Sequence, residues 1–249
     1  MVYLEKRTRL WIWVGTGILI ILVFIIGYNR DYRFRNNFTI GKVGTLTVTL
    51  PLPDTFVYVD ETEKAKTTKE NETVVIKLSP RTHSVITSHI GYYPWTKQIT
   101  IPSDENIILS PIFVSVNASG MIITNNDSDY WKIRDMVERY KLPTKESPIT
   151  SDDKTTIIWL YDNAIMATVG STTTTVIQPD TIIRNIAFYK DRSDAVIFST
   201  YTAIYVIEIA KGDSQNFFPI YKGTSPSFIK VDPNFIYVKD GANLMQVVI

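Results

Sequence analysis

Two histidines, no cysteine and 25 acidic residues set the chemistry open to this chain of 249 residues. Without cysteine there is no disulfide, no thiolate nucleophile, no cysteine-bound zinc and no lipoprotein anchor. His83 and His89 share strand parity and stand six residues apart, roughly 20 Å along an extended strand, so one straight strand cannot bring both to one metal ion. Glycoside hydrolysis needs two carboxylates facing each other across a sugar. The pairs on offer are Asp152-Asp153, Asp191 with Asp194, and Asp60-Glu61 with Glu63, all at predicted turns where solvated acids sit. No Gly-x-Ser-x-Gly, His-Glu-x-x-His or phosphate loop occurs, and the run Ser171-Thr-Thr-Thr-Thr175 has no base near it. The sequence therefore predicts no catalytic constellation, no metal site and no cofactor. Tyr92, Tyr93 and Trp95 are the residues best suited to binding, because they cluster at a turn broken by Gly91 and Pro94. Flat rings there could stack on a sugar or anchor a protein partner, or equally pack the end of a β-sandwich.

The elements that must carry these residues are organised around residues 10–28. That stretch holds no charge, and as a helix it would span roughly 28 Å, close to a bilayer's hydrocarbon thickness. Trp11, Trp13 and Tyr28 lie near its ends, where amphipathic rings settle at the lipid–water interface. The run is longer than a signal-peptide core and leads into Asn29-Arg30-Asp31-Tyr32-Arg33, which offers no small-residue cleavage site. It reads as an uncleaved single-pass anchor, with residues 1–9 a short cytoplasmic tail. Lys6, Arg7 and Arg9 before the span balance Arg30, Arg33 and Arg35 after it, so charge alone leaves orientation open. A short basic N-terminus nevertheless favours a C-terminal region outside the cytoplasm.

Of 26 basic and 25 acidic residues, three and one lie in the first nine positions, which leaves 23 and 24 beyond them. That balance gives no electrostatic footprint for nucleic acid. Residues 29–43 read as a linker. The remainder is rich in Thr, Ile, Val and Tyr, which suit a pleated, half-buried surface, so an all-β ectodomain is expected. Strands are predicted over 45–50, 56–59, 74–78, 83–90, 96–101 and 106–109, and the charged residues 60–71 read as a solvated loop.

Four segments of this layout resemble a PEGA domain: Gly44-Thr-Leu-Thr-Val48, Val57-Tyr-Val-Asp60, Leu78-Ser-Pro-Arg-Thr-His-Ser-Val85 and Gly91-Tyr-Tyr-Pro-Trp95. The family's Pro-x-Gly-Ala turn is reduced to Pro53-Asp-Thr-Phe56, and Thr82 stands where it has glycine. The resemblance implies a small β-sandwich over residues 44–113, a structural role for His83, an exported location, and attachment or scaffolding without catalysis.

Residues 114–249 are expected to form one helix and a series of short strands. The helix is predicted over 127–140, with Tyr130, Ile133, Val137 and Tyr140 on one face, Asp127 or Ser128 at its start and Pro143 beyond its end. From Lys141 an outline recurs at a period of about 40 residues. An acidic turn at Asp152, Asp191 or Asp232 leads into an aliphatic–aromatic strand, a tight turn and another strand. This region resembles the propeller-like tail found behind PEGA domains in some membrane-anchored proteins. Only about two and a half blades fit, so an open stack of antiparallel sheets is expected, or a partial propeller completed by other subunits.

The expected protein is thus all-β outside one N-terminal transmembrane helix, and non-enzymatic. Its expected partners are the lipid bilayer, cell-wall glycan or envelope proteins, and further copies of itself. A structural subunit of a homo-oligomeric surface or transport assembly is the alternative.

Overall fold

The computed structural model describes residues 2–29, 32–34, 40–209 and 215–249, which divide into two compact units. The first comprises Met1–Val85 and Gln98–Pro111, the second Ile86–Lys97 and Ile112–Ile249. The segment 86–97, which carries the Gly91–Trp95 turn, thus belongs with the second unit.

Helix α1 spans Val2–Asn29, and its window Trp11–Asn29 has a mean hydropathy of 2.3 with no part buried. Trp11, Trp13 and Tyr28 are 65%, 75% and 64% exposed. Among the described residues this window is unburied, and it is long and apolar enough to cross a bilayer. The stretch read as a linker holds two short antiparallel strands, β1 (Tyr32–Phe34) and β2 (Ile40–Lys42).

Seven further strands follow: β3 (Gly44–Thr49), β4 (Phe56–Val59), β5 (Thr62–Lys66), β6 (Thr73–Leu78), β7 (Thr82–Ser88), β8 (Trp95–Thr100) and β9 (Asn106–Leu109). They form sheets of order β6-β3-β9 and β5-β4-β7-β8. Period-two alternation gives each sheet one apolar face. Leu46, Val48 and Val74 line the first; Val57, Val59 and Val85 line the second, and all six are buried. Two faces so fully covered in a unit this small identify a two-layer β arrangement.

Gly44 opens β3 where Pro102 and Glu105 cross over it. A Cβ there would lie 2.3 Å from the Pro102 carbonyl oxygen and 2.4 Å from Ile101 Cγ2. Only hydrogen fits, and the close approach sets the parallel pairing of β3 with β9. Strand β5 is the element that sequence reading took for a loop. Its residues Thr-Glu-Lys-Ala-Lys lack apolar alternation. They are made a strand by Asp60 and Glu61, whose φ angles of 50° and 63° close a two-residue hairpin from β4.

The second unit contains β10 (Gly120–Ile123), α2 (Tyr130–Glu138), β11 (Ile149–Thr150), β12 (Thr156–Tyr161), β13 (Ala164–Val169), β14 (Thr172–Ile177), β15 (Asn185–Phe188), β16 (Ala195–Ser199), β17 (Ala203–Glu208), β18 (Phe217–Lys222), β19 (Ser227–Lys230), β20 (Phe235–Asp240) and β21 (Asn243–Val248). Three four-stranded antiparallel sheets result: β11-β12-β13-β14, β15-β16-β17-β18 and β10-β21-β20-β19. The sequence count of two and a half repeats is therefore corrected to three. The missing outer strand of the last sheet is β10, contributed from before the repeats and paired with β21 from Gly120↔Val247 to Ile123↔Leu244.

A core cluster including Ile158, Ile165, Ile186 and Phe198 fills the space between the first two sheets. The second and third are bridged where Asn185 Oδ1 accepts the Phe228 N–H at 3.2 Å. Helix α2 lays Tyr130 and Ile133 on Leu244 of the third sheet. It is shorter than the predicted 127–140: Tyr140 lies beyond it, and neither Asp127 nor Ser128 caps it. Asp127 instead accepts the Thr124 N–H at 2.7 Å, and Asp129 occupies the cap position without a side-chain bond.

Candidate functional site

The three aromatics singled out by sequence are structural members of the second unit. Trp95 is 3% exposed and its indole N–H donates to Glu208 Oε1 at 2.5 Å. Glu208 also accepts from Lys97 Nζ at 3.0 Å and Asn216 Nδ2 at 2.9 Å, and Asn216 in turn exchanges hydrogen bonds with the Thr96 backbone. Tyr93 stacks on Phe218 at 5.3 Å between ring centroids, and Tyr92 meets Phe113 edge-on at 5.9 Å. Of the alternatives that sequence left open, Trp95 takes packing. Trp95 has no free face to offer a sugar, while Tyr92 and Tyr93 are half-buried.

His89 bonds the Ile90 carbonyl oxygen and touches Tyr92. His83, in the first unit, is buried with Nδ1 2.8 Å from Asp60 Oδ2 and Nε2 2.8 Å from the Ser79 carbonyl oxygen. The Ser79 hydroxyl oxygen also lies 3.5 Å from His83 Nε2. Among the described residues no group of three His, Cys, Asp or Glu is arranged to hold a metal ion.

A cavity of about 450 Å³ in the second unit opens where the inner strands of all three sheets converge. Ile149 and Thr150 of β11, Ile186–Phe188 of β15 and Phe228–Lys230 of β19 form its walls, and Tyr140 closes one side. Tyr140 is fixed by donating its hydroxyl to the Ile186 carbonyl oxygen at 2.5 Å, and burial raises its pKa above the usual phenol value. Each inner strand is followed at once by a turn that places one carboxylate at the mouth: Asp152, Asp191 and Asp232. These are the acids of the repeated outline.

Among the three carboxylates stands Lys230, whose ammonium group donates to the Lys190 carbonyl oxygen. Burial lowers the Lys230 pKa; the charges of Asp191, Asp152 and Asp232 oppose that shift without cancelling it. Lys190 and Arg192 complete the charged rim. The Lys190 pKa is also lowered, by burial first and then by the Arg192 charge. Arg192 is clamped by Asp194 at 2.6 and 2.7 Å. An apolar cavity with a few convergent charged groups at its rim is the usual form of a small-ligand site. Its residues allow ion pairing and apolar contact.

Sequence reading passed over this site. The acids at 152, 191 and 232 were visible as a repeat, yet each alone is an ordinary turn residue. Their convergence follows only from three sheets set around one cavity. Lys190 and Lys230 gave no signal at all. Compared with known proteins, the chain matches no family model and no curated protein.

Proposed function

We propose that this chain is a single-pass, membrane-anchored binding protein of the cell envelope, with its β-rich body outside the cytoplasm and no catalytic role. The observation that supports the reading is α1, whose 19-residue window Trp11–Asn29 carries no charged residue and is wholly unburied among the described residues, as a lipid-facing span would be. The first unit is read as a PEGA-type sandwich, for which the pairing of Asp60 with His83 gives support: the two residues come from separate segments of that resemblance. The second unit is read as a propeller-like array whose central cavity holds the ligand. A mixed rim of lysine, arginine and aspartate over apolar walls suits a polar envelope component such as a glycan bearing charged substituents, and carries no preference for nucleic acid.

The homo-oligomeric alternative rests on a blade count below the four that a closed propeller uses, with tails of neighbouring chains completing it. Three four-stranded sheets keep the count below four, and this second reading stands beside the first.

The test uses the full chain in its native membrane with a C-terminal epitope. An anchor predicts that the protein resists carbonate extraction, that the epitope is digested by protease added from outside, and that mass spectrometry finds α1 still attached. A mature N-terminus beyond Tyr28 would show a cleaved signal and end the anchored reading. Cosedimentation of detergent-purified protein with isolated envelope glycan tests the ligand: binding lost on Lys230→Gln supports the cavity, and no binding by the wild type removes glycan as its ligand.

A further inference from the structure

Lys97, Glu208 and Asn216 form a polar cluster of the second unit that the binding reading above does not use. Lys97 comes from β8, Glu208 is the last residue of β17, and Asn216 stands just before β18. Little of the cluster meets solvent: the Glu208 side chain is 6% exposed, Asn216 7% and the Lys97 side chain 22%. The Trp95 ring covers one side, with its centroid 5.9 Å from Lys97 Nζ.

An amine and an amide are thus gathered on one carboxyl oxygen. Glu208 Oε2 stands 3.0 Å from Lys97 Nζ and accepts from Asn216 Nδ2 at 2.9 Å. The Asn216 amide is fixed in orientation by the Thr96 backbone. Its Oδ1 accepts the Thr96 N–H at 3.1 Å and its Nδ2 donates to the Thr96 carbonyl oxygen at 2.9 Å. Turning the amide over would set donor against donor and acceptor against acceptor. The Thr96 N–H therefore polarises the amide carbonyl, and the fold holds amine and amide beside each other.

We propose that Lys97 and Asn216 join as an isopeptide cross-link, a covalent modification that the chain makes on itself. The Lys97 amine attacks Asn216 Cγ, so that a bond forms between Nζ and Cγ while the Cγ–Nδ2 bond breaks and ammonia leaves. Carbon and nitrogen keep their oxidation states, and no co-reactant is consumed. One proton is shared between Lys97 and Glu208, and attack proceeds from the arrangement that places it on the carboxyl group, where Nζ has its lone pair. Glu208 gives this proton to the departing Nδ2 and regains one from Nζ as the new amide forms. Its Oε2 is already within hydrogen-bond reach of both nitrogens. The product ties segment 86–97 to the second sheet, a long-range staple of the kind that disulfides supply in other chains. This chain has no cysteine to make one. A buried carboxyl group also needs donors, and Lys97 and Asn216 serve as donors; that role alone predicts no bond between them.

The test is the mass of the full chain, purified in detergent and then denatured. The wild type is expected to weigh one ammonia less than its sequence once its N-terminus has been mapped. Proteolysis should release a branched peptide that joins Lys97 to Asn216. Lys97→Arg keeps the cation and removes the attacking amine. It should show its full sequence mass and a thermal midpoint below that of the wild type. Glu208→Gln keeps a polar side chain but cannot carry the proton, and should also remain unlinked. A folded wild type at full sequence mass would overturn the proposal. So would a missing ammonia that maps to a linear peptide, the mark of a succinimide at an asparagine, or a branched peptide that persists in Lys97→Arg.

Discussion

A carboxyl group only 4% exposed must replace the water it loses with hydrogen-bond partners, and Glu208 has three: the Trp95 indole, the Lys97 ammonium and the Asn216 amide. Trp95→Phe keeps most of the ring and removes one donor, which should cost about 1–3 kcal/mol in urea denaturation of the full chain. Trp95→Ala should cost about 3–5 kcal/mol, because the cavity adds to the lost bond. An unchanged midpoint in both would mean the ring is not packed as described. In the first unit, Asp60 is held below the ordinary carboxylate range. Burial is the largest single influence and opposes the shift. Hydrogen bonds from His83 and Ser84, with the His83 and Arg81 charges, outweigh it. The unfolded chain therefore takes up the proton first as pH falls. The stability due to Asp60 is complete above about pH 4 and is lost on going down through the lower folded value. Asp60→Asn should flatten the acid limb of a midpoint-against-pH curve; a limb of unchanged slope would count against this pairing.

At the scale of elements, legibility followed periodicity. Strands with clean alternation or β-branched runs, such as Phe56–Val59, Ala164–Val169 and Ala195–Ser199, lie where the sequence puts them. Strand β5 was hidden because edge strands are often charged, and a charged edge reads as a loop. Strand β11 was hidden because its two residues are too few to show a period. Gly44 was visible as the start of a motif, but its reason is tertiary, the backbone of Pro102 crossing at contact distance. Gly44→Ala should force β3 from β9 and destabilise the first unit by about 1–3 kcal/mol. Hydrogen exchange would show this as lost protection at Thr45, whose N–H bonds the Glu105 carbonyl oxygen at 2.8 Å. Retained protection would show that the crossing segment can shift aside.

On the scale of the whole molecule, the second unit sets three carboxylates around one ammonium, each carboxylate from a different sheet. Lys230→Met would leave Asp152, Asp191 and Asp232 without that charge. Their mutual repulsion should lower the thermal midpoint most at low ionic strength. The difference from wild type should shrink as salt is raised and the charges are screened. A midpoint difference independent of salt would show that Lys230 acts through packing alone.

By itself the sequence determined what local chemistry can encode: the apolar helix, the strand-rich body, most turns, and the absence of cysteine chemistry. It also showed the repeat of acidic turns, because a repeat is a linear property. Tertiary structure alone decided that the repeat closes as three sheets, with β10 supplying the last strand from well over a hundred residues before its partner. It alone buried Trp95 and set Tyr92 against Phe113 and Tyr93 against Phe218. It alone gathered Asp152, Asp191, Asp232 and Lys230 at one cavity, and set Lys97 and Asn216 on one oxygen of Glu208. The physical reason is common to all of these. Hydrogen bonding and hydrophobic periodicity act over a few residues and leave a trace in the chain, whereas charge convergence and burial depend on distances between residues remote in sequence.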